Sequence, residues 1–64
     1  MITLNGKPAD ADGLTIAELL ARLELPQRGV AVAVDAEVVP KSEWDRHVVA
    51  DGAHVEVVTA VQGG

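Results

Sequence analysis

Apolar and polar residues alternate at the start of the chain, in the stretch MITLN. A period of two predicts a β-strand with one buried face. Asn5 and Gly6 follow this strand, and because both residue types accept positive φ angles, the pair predicts a tight hairpin turn. We expect the second strand over roughly residues 7–12, at the edge of a sheet, because Pro8 cannot donate a hydrogen bond to a neighbouring strand.

The next stretch, LTIAELLARLEL, changes to the period of an α-helix. Its apolar residues recur at spacings of three and four, which predicts one stripe facing a core. The stripe consists of Ile16, Leu19, Leu20 and Leu23. Thr15 and Glu18 have the spacing of a capping box, in which each side chain accepts a hydrogen bond from the backbone N–H of the other residue. We expect the helix to start after Thr15 and to be stopped by Pro26.

The segment GVAVAV is apolar and rich in β-branched residues, so it predicts a central strand. In this strand we expect Val30, Val32 and Val34 to point into the core, and Ala31 and Ala33 to lie under a close neighbour. A turn at DAE then leads into a short VV strand that ends before PKSEW, where KSEW predicts one helical turn or a polar loop. The alternating stretch HVEVVTAV predicts the last strand.

Several strands and one helix predict an α+β fold, in which the helix covers one face of a small mixed sheet. We expect residues 1–60 to form this domain and residues 61–64 to form a flexible tail. The chain has 64 residues, so it has room for one core and is too small to enclose a deep active site. This size weakens any interpretation of the protein as an enzyme.

Composition narrows the function further. The chain has no cysteine, which excludes disulfides, thiolate metal ligands and thiol nucleophiles. Ten acidic residues against five basic ones give a formal net charge of -5, and Trp44 is the single aromatic residue, so we expect no nucleic-acid partner. The start of the chain lacks the pattern of a signal peptide, and GVAVAV is too short to span a bilayer. We therefore expect a soluble cytoplasmic protein with no membrane partner.

The sequence ends in Gly63 and Gly64. At an average glycine usage of about 7%, such a pair arises by chance in roughly one chain in two hundred, so it does not establish a function by itself. A remnant of purification would leave the same ending. Glycine has no Cβ, however, so a Gly-Gly end can pass through a slot too narrow for other residues. Residues 61–64 would span about 13 Å when extended, enough to reach the active site of another protein.

The group that such an end presents is a carboxylate. A carboxylate is a poor acyl donor until one oxygen becomes a good leaving group, which adenylation by ATP achieves; a sulfur nucleophile can then displace AMP. The chain has no phosphate-binding glycine loop, so a partner enzyme would have to bind the ATP and its magnesium ion. The sequence therefore favours a protein that is carried through a reaction as a co-substrate and binds no cofactor itself.

Stretches along the whole chain are similar to one family: LNGKP, TIAELLARL, GVAVAVDAEVVPKSEW and DGAHVEVVTAVQGG. The order and spacing of VVPKSEW and AVQGG carry most of this resemblance. The sequence resembles the ThiS family, the sulfur carriers of thiazole formation in thiamine biosynthesis, which have a ubiquitin-like β-grasp fold. The sequence departs from the family pattern at VDAE, where the family often has an Asn-Gly turn, and at DGAH, where it often has Asp-Gly-Asp. Both departures lie in loops away from the C-terminal end, so they concern the geometry of turns rather than function.

The resemblance implies that Gly64 is adenylated by a ThiF-type enzyme and then converted to a thiocarboxylate. The sulfur would come through a cysteine desulfurase, and thiazole synthase would receive it. Gly64 would be the attachment residue, and the partner proteins would contact Gly63, Gln62 and Val61.

Other interpretations stay open at this point. A ubiquitin-like modifier would join its terminal glycine to a lysine, the small subunit of molybdopterin synthase is also a Gly-Gly sulfur donor, and a structural domain would have a tail without function. His47 and His54 lie near Asp45 and Asp51 in the sequence, so a zinc site is conceivable. Ser42 with a histidine is a weaker candidate for a hydrolase pair, and Trp44 is either part of the core or a partner contact.

Overall fold

The computed structural model describes residues 1–26 and 28–59, which form one mixed β-sheet with a helix on one face. In chain order the elements are β1 (Ile2–Leu4), β2 (Lys7–Ala9), α1 (Ile16–Arg22), β3 (Val30–Val34), β4 (Glu37–Val38), a 3-10 turn (Lys41–Glu43) and β5 (His54–Thr59). The strands lie in the order β2-β1-β5-β3-β4. Strands β1 and β5 are parallel, and the other neighbours are antiparallel. The predicted α+β fold is confirmed.

The first hairpin forms as expected, because Asn5 and Gly6 adopt φ angles of 52° and 83°. Leu4 pairs with Lys7 across this turn, and β2 is an edge strand. The strand ends at Ala9, however, so its predicted extension over residues 10–12 is wrong. The chain leaves the ladder because Ala11 turns inward and is buried in the core.

The start of α1 is held by both local and distant groups. The predicted capping box is present: the Thr15 hydroxyl accepts from the Glu18 N–H at 3.1 Å, and the Glu18 carboxylate accepts from the Thr15 N–H at 2.9 Å. The N–H groups of the first two helical residues donate to backbone carbonyls of the loop before β5, those of His47 and Trp44, at 3.0 and 3.1 Å. The donors that a helix start leaves without an internal partner are thus satisfied.

The helix ends earlier than Pro26 requires. Glu24 adopts a φ angle of 60°, and its N–H donates to the Ala21 carbonyl while the Leu25 N–H donates to the Leu20 carbonyl. These two bonds form a Schellman motif, which stops the helix by turning the chain. Leu23 is therefore the C-cap and is 37% exposed, so its predicted place in the buried stripe is wrong.

The core lies between α1 and one face of the sheet. It contains the remaining stripe residues of the helix, inward-facing strand residues and part of the loop before β5: Ile2, Ala11, Ile16, Leu19, Leu20, Val32, Val39, Trp44, Val49, Ala53, Val55 and Val57. Trp44 is 3% exposed, and its indole N–H donates to the Val39 carbonyl at 2.9 Å. Trp44 is thus a core residue of this chain.

Strand β3 lies inside the sheet, although β5 occupies the middle position. Val32 is buried and Val30 and Val34 pack against the core, as predicted. Ala31 is exposed, so the expectation that it lies under a neighbour is wrong. Ala31 lies on the sheet face opposite the helix, and the described residues form no second layer over that face.

The second hairpin keeps tight-turn geometry despite its unusual sequence. Asp35 and Ala36 adopt φ angles of 52° and 70°, and Val34 pairs with Glu37 across them. This register places β4 one residue earlier than the predicted VV strand. Of the two alternatives predicted for KSEW, a helical turn or a polar loop, the structure has the helical turn, and the last strand begins at His54 as its alternation indicates.

Leu19→Ala should lower the free energy of unfolding by about 2–5 kcal/mol, because Leu19 is 1% exposed and its truncation leaves a cavity in the only core that the described residues form. Leu23→Ala, at the C-cap of the same helix, is the matched control and should cost about 1 kcal/mol or less. Urea unfolding monitored by circular dichroism measures both. Equal losses for the two variants would contradict the packing described here.

Ala36→Gly should stabilise the protein by about 0.5–1 kcal/mol, because alanine is strained in a left-handed backbone that glycine adopts freely. Gly6 occupies the same place in the first hairpin, and a Cβ there would meet nothing within 4 Å. Gly6→Ala should therefore lower stability by about 1 kcal/mol through backbone strain alone. Thermal unfolding tests both, and a shift of the two variants in the same direction would argue against the turn geometry.

Candidate functional site

The residues that the sequence singles out, Val61, Gln62, Gly63 and Gly64, lie outside the described residues. So do residue 60 and the predicted boundary between domain and tail. The structure describes the strand from which these residues continue, β5, as far as Thr59. The described part of the candidate site is the C-terminal end of β5 together with the groups that bond to it.

Strand β5 is held on both of its edges. On one side it pairs with β3, from Val34 opposite Val55 to Val30 opposite Thr59. On the other side it pairs with β1, where Thr3 lies opposite His54. A strand in the middle of a sheet has its backbone groups bonded in both directions, so its path is more tightly defined than that of an edge strand.

The two side-chain faces of β5 differ sharply. Val55 and Val57 point towards the helix and are buried. Glu56 and Val58 point to the opposite face, where Val58 is 62% exposed and Val38 of β4 is 75% exposed. Among the described strand residues, Val38 and Val58 are thus the large apolar side chains that are exposed on this face of the sheet.

Asn5 binds the backbone of β5 close to its C-terminal end. The Asn5 side-chain oxygen accepts from the Val57 N–H at 2.8 Å, and its side-chain nitrogen donates to the Val57 carbonyl at 3.3 Å. Sequence reasoning assigned Asn5 only to the hairpin turn and missed this contact. The signal for it is chemical: an asparagine side chain carries the same donor and acceptor as a peptide group.

The groups with shifted pKa values lie at the other end of β5. The Met1 amino group donates a hydrogen bond to Asp51 and lies 3.2 Å from Asp12. The hydrogen bond to Asp51, and to a smaller extent the one to Asp12, raises the pKa of the Met1 amine. The hydrogen bond that the amine donates to Asp12 lowers the pKa of the Asp12 carboxyl. All three groups are exposed, and Asp51 precedes β5. This charge cluster is thus remote from Thr59.

The histidines and carboxylates proposed for zinc do not come together. No three histidine, aspartate or glutamate side chains gather at a metal-binding distance within residues 1–26 and 28–59. His54 instead lies at the start of β5. Its ring Nδ1 is 2.8 Å from the Thr3 hydroxyl, and its backbone N–H donates to the Asp35 carboxylate. Ser42 lies in the exposed 3-10 turn. The described surface has no pocket for a small molecule.

The helix of the described chain, α1, has seven residues and is too short to cross a membrane. Among the described residues, the feature closest in sequence to Gly63 and Gly64 is therefore β5, a strand that is hydrogen-bonded to both of its neighbours.

Comparison with known proteins shows which family the sequence and the fold of this chain are similar to. The family model described as "ThiS family" matches residues 2–64. The sulfur carrier protein ThiS of Thermus thermophilus is 38% identical over 64 residues, and the match covers all of both chains. A crystal structure of the thiamine biosynthesis protein ThiS from Geobacter metallireducens has a TM-score of 0.82 and 36% identity, and covers 98% of this chain and 97% of that one. The fold of this chain matches that of the Geobacter protein and is the expected ubiquitin-like β-grasp fold.

A third relative has a different name and length. A thiazole synthase of Paramagnetospirillum magneticum is 34% identical over 64 residues. The match covers 98% of this chain but only 20% of that protein. A segment similar to this chain is thus joined to a much longer polypeptide in that relative.

Proposed function

The chain belongs to the ThiS family of sulfur carrier proteins, and from this premise we propose that its C-terminal residue, Gly64, receives and donates the sulfur. The observation that carries the proposal is the match to the Thermus ThiS over the full length of both chains, which includes the Gly-Gly pair. Gly63 follows Thr59, the last described residue of β5, by four positions in the sequence, and β5 pairs with a strand on each of its edges, which supports the proposal.

The chemistry proceeds by activation of the carboxylate. A ThiF-type enzyme transfers AMP from ATP to the Gly64 carboxylate and releases pyrophosphate. The terminal sulfur of a persulfide, supplied through a cysteine desulfurase, then displaces AMP and forms an acyl disulfide with Gly64. A second thiol attacks the outer sulfur of this S–S bond, which releases the Gly64 thiocarboxylate and leaves a disulfide; because this chain has no cysteine, both thiols belong to partner proteins. The positive groups and magnesium ion that stabilise charge on the phosphates belong to the activating partner. The carrier supplies only the acyl group and its presentation, so it is a co-substrate rather than an enzyme.

Thiazole synthase is the proposed acceptor of the sulfur. The support is the Paramagnetospirillum protein, which bears that name and contains a segment similar to this chain. Covalent joining raises the effective concentration of two partners that otherwise meet by diffusion. A carrier whose tail enters the thiazole synthase active site would benefit from such joining, which makes this partnership the natural assignment for the separate chain.

Deletion of Gly64 should abolish the gain of sulfur without unfolding the domain, since the last described core residue, Val57, lies seven positions before it in the chain. The purified protein is incubated with ATP, a ThiF-type enzyme and a sulfur donor, and its intact mass is measured. The unaltered chain should gain the difference between sulfur and oxygen, and the shortened chain should not. Thermal unfolding is the control and should be the same for both.

Three results would overturn this function: sulfur incorporation by the shortened chain, conjugates linked to lysine in place of a thiocarboxylate, or a protein in its own cells that extends beyond Gly64. The second result would instead support a ubiquitin-like modifier.

Gly63→Val should slow activation, because a β-branched side chain obstructs a slot that accepts only glycine. A displacement of the carboxylate by about 1 Å is enough to slow the reaction roughly 100-fold. ATP-dependent release of AMP in the presence of the ThiF-type enzyme and sulfur donor measures the effect. Gly63→Ala is the graded control, with an intermediate loss; a valine variant that reacts as fast as the unaltered protein would show that no narrow slot exists.

A further inference from the structure

The two hairpin turns of this protein each direct one side chain onto β5, at opposite ends of the strand. Asn5 and Asp35 are the first residues of their turns, and both have a φ angle of 52°. Asn5 bonds to Val57, two residues before the end of β5, whereas Asp35 accepts from the N–H of His54, the first residue of β5, at 3.0 Å.

The ladder between β1 and β5 explains why Asn5 is needed. In that ladder the Thr3 N–H donates to the Ala53 carbonyl, and the Asn5 N–H donates to the Val55 carbonyl, both at 2.9 Å. The next residue of β5 with groups on this side is Val57. By then the chain has turned into the hairpin at Gly6, so the backbone of β1 cannot reach Val57. The amide of Asn5 supplies both the acceptor and the donor that a further strand residue would have supplied.

Few residue types satisfy this position. The φ angle of 52° favours glycine, asparagine and aspartate. Glycine has no side chain to bind Val57, and an ionised aspartate accepts from the N–H but cannot donate to the carbonyl. Asparagine alone among the three meets both requirements.

We propose that Asn5 is a positioning residue for sulfur transfer: by binding Val57 it holds the end of β5 in place, and so sets the direction in which the chain leaves the sheet towards Gly64. This inference rests on the proposed function. Among the described residues, the Asn5 side chain is the last group on the β1 side that bonds to β5. Without it the end of β5 is held by β3 alone, and an activating enzyme must order that end when it binds.

The expected effect is on recognition rather than on chemistry. Ordering about one additional backbone residue on binding corresponds to roughly a tenfold loss of affinity. The reacting carboxylate itself is unchanged once it is bound. We therefore expect Asn5→Gly to raise the KM for the carrier roughly tenfold and to leave kcat nearly unchanged.

Asp35→Gly provides the matched control. Both substitutions place glycine at the same φ angle, and both remove side-chain bonds to the backbone of β5, two at Val57 and one at His54. Only Asn5 acts near the C-terminal end of the strand. Asp35→Gly should therefore leave KM unchanged even where it lowers the melting temperature as much as Asn5→Gly does. Asn5→Asp restores one of the two bonds and should give an intermediate KM.

The experiment measures ATP-dependent release of AMP by the ThiF-type enzyme in the presence of the sulfur donor, as a function of carrier concentration, for the four proteins. Hydrogen exchange of the Val57 amide is followed in parallel and should accelerate in Asn5→Gly but not in Asp35→Gly. Equal KM values for Asn5→Gly and the unaltered chain, or equal increases for both glycine variants, would overturn the positioning role while the proposed function stood. A lack of any activation of the unaltered chain would overturn both.

Discussion

The pairing of β5 along both of its edges is the interaction on which the rest of this structure depends. β5 lies between the two hairpins, which are separated by the helix in the chain, and joins them into one sheet. Its inward residues Val55 and Val57 also form part of the surface on which the helix packs. Isolated two-stranded hairpins are marginal in water, so the sheet and the core form together with this strand. The same strand leads into the residues proposed to bear the sulfur.

The loop before β5 completes the domain around the helix. A seven-residue helix is too short to be stable alone, and its first N–H groups need acceptors. The carbonyls of His47 and Trp44 provide them, while the Trp44 side chain fills the core beside Val39. The small size of the chain is thus offset by loops that serve as both core and cap. The described residues enclose no pocket, and the proposed function depends instead on the residues that follow β5.

The candidate site was accessible to sequence reasoning only in part. Gly63 and Gly64 can be singled out in the sequence because glycine has no Cβ and so suits a narrow slot, and because stretches along the chain resemble one family. The contact from Asn5 to Val57 could not be found in this way, since the two residues lie 52 positions apart and only the parallel pairing of β1 with β5 brings them together. The zinc hypothesis rested on closeness in sequence alone, and within residues 1–26 and 28–59 no three histidine, aspartate or glutamate side chains lie within reach of one metal ion.

The sequence by itself determined the features that depend on nearby residues: the hairpin at Asn5 and Gly6, the capping box of Thr15 and Glu18, and the alternation in β5. These follow from backbone angles and hydrogen bonds within a few positions. Only the tertiary structure decided that Leu23 and Ala31 are exposed and that β5 rather than β3 occupies the middle of the sheet. Burial and strand order are set by contacts between distant segments, and a local pattern contains no information about which segments meet.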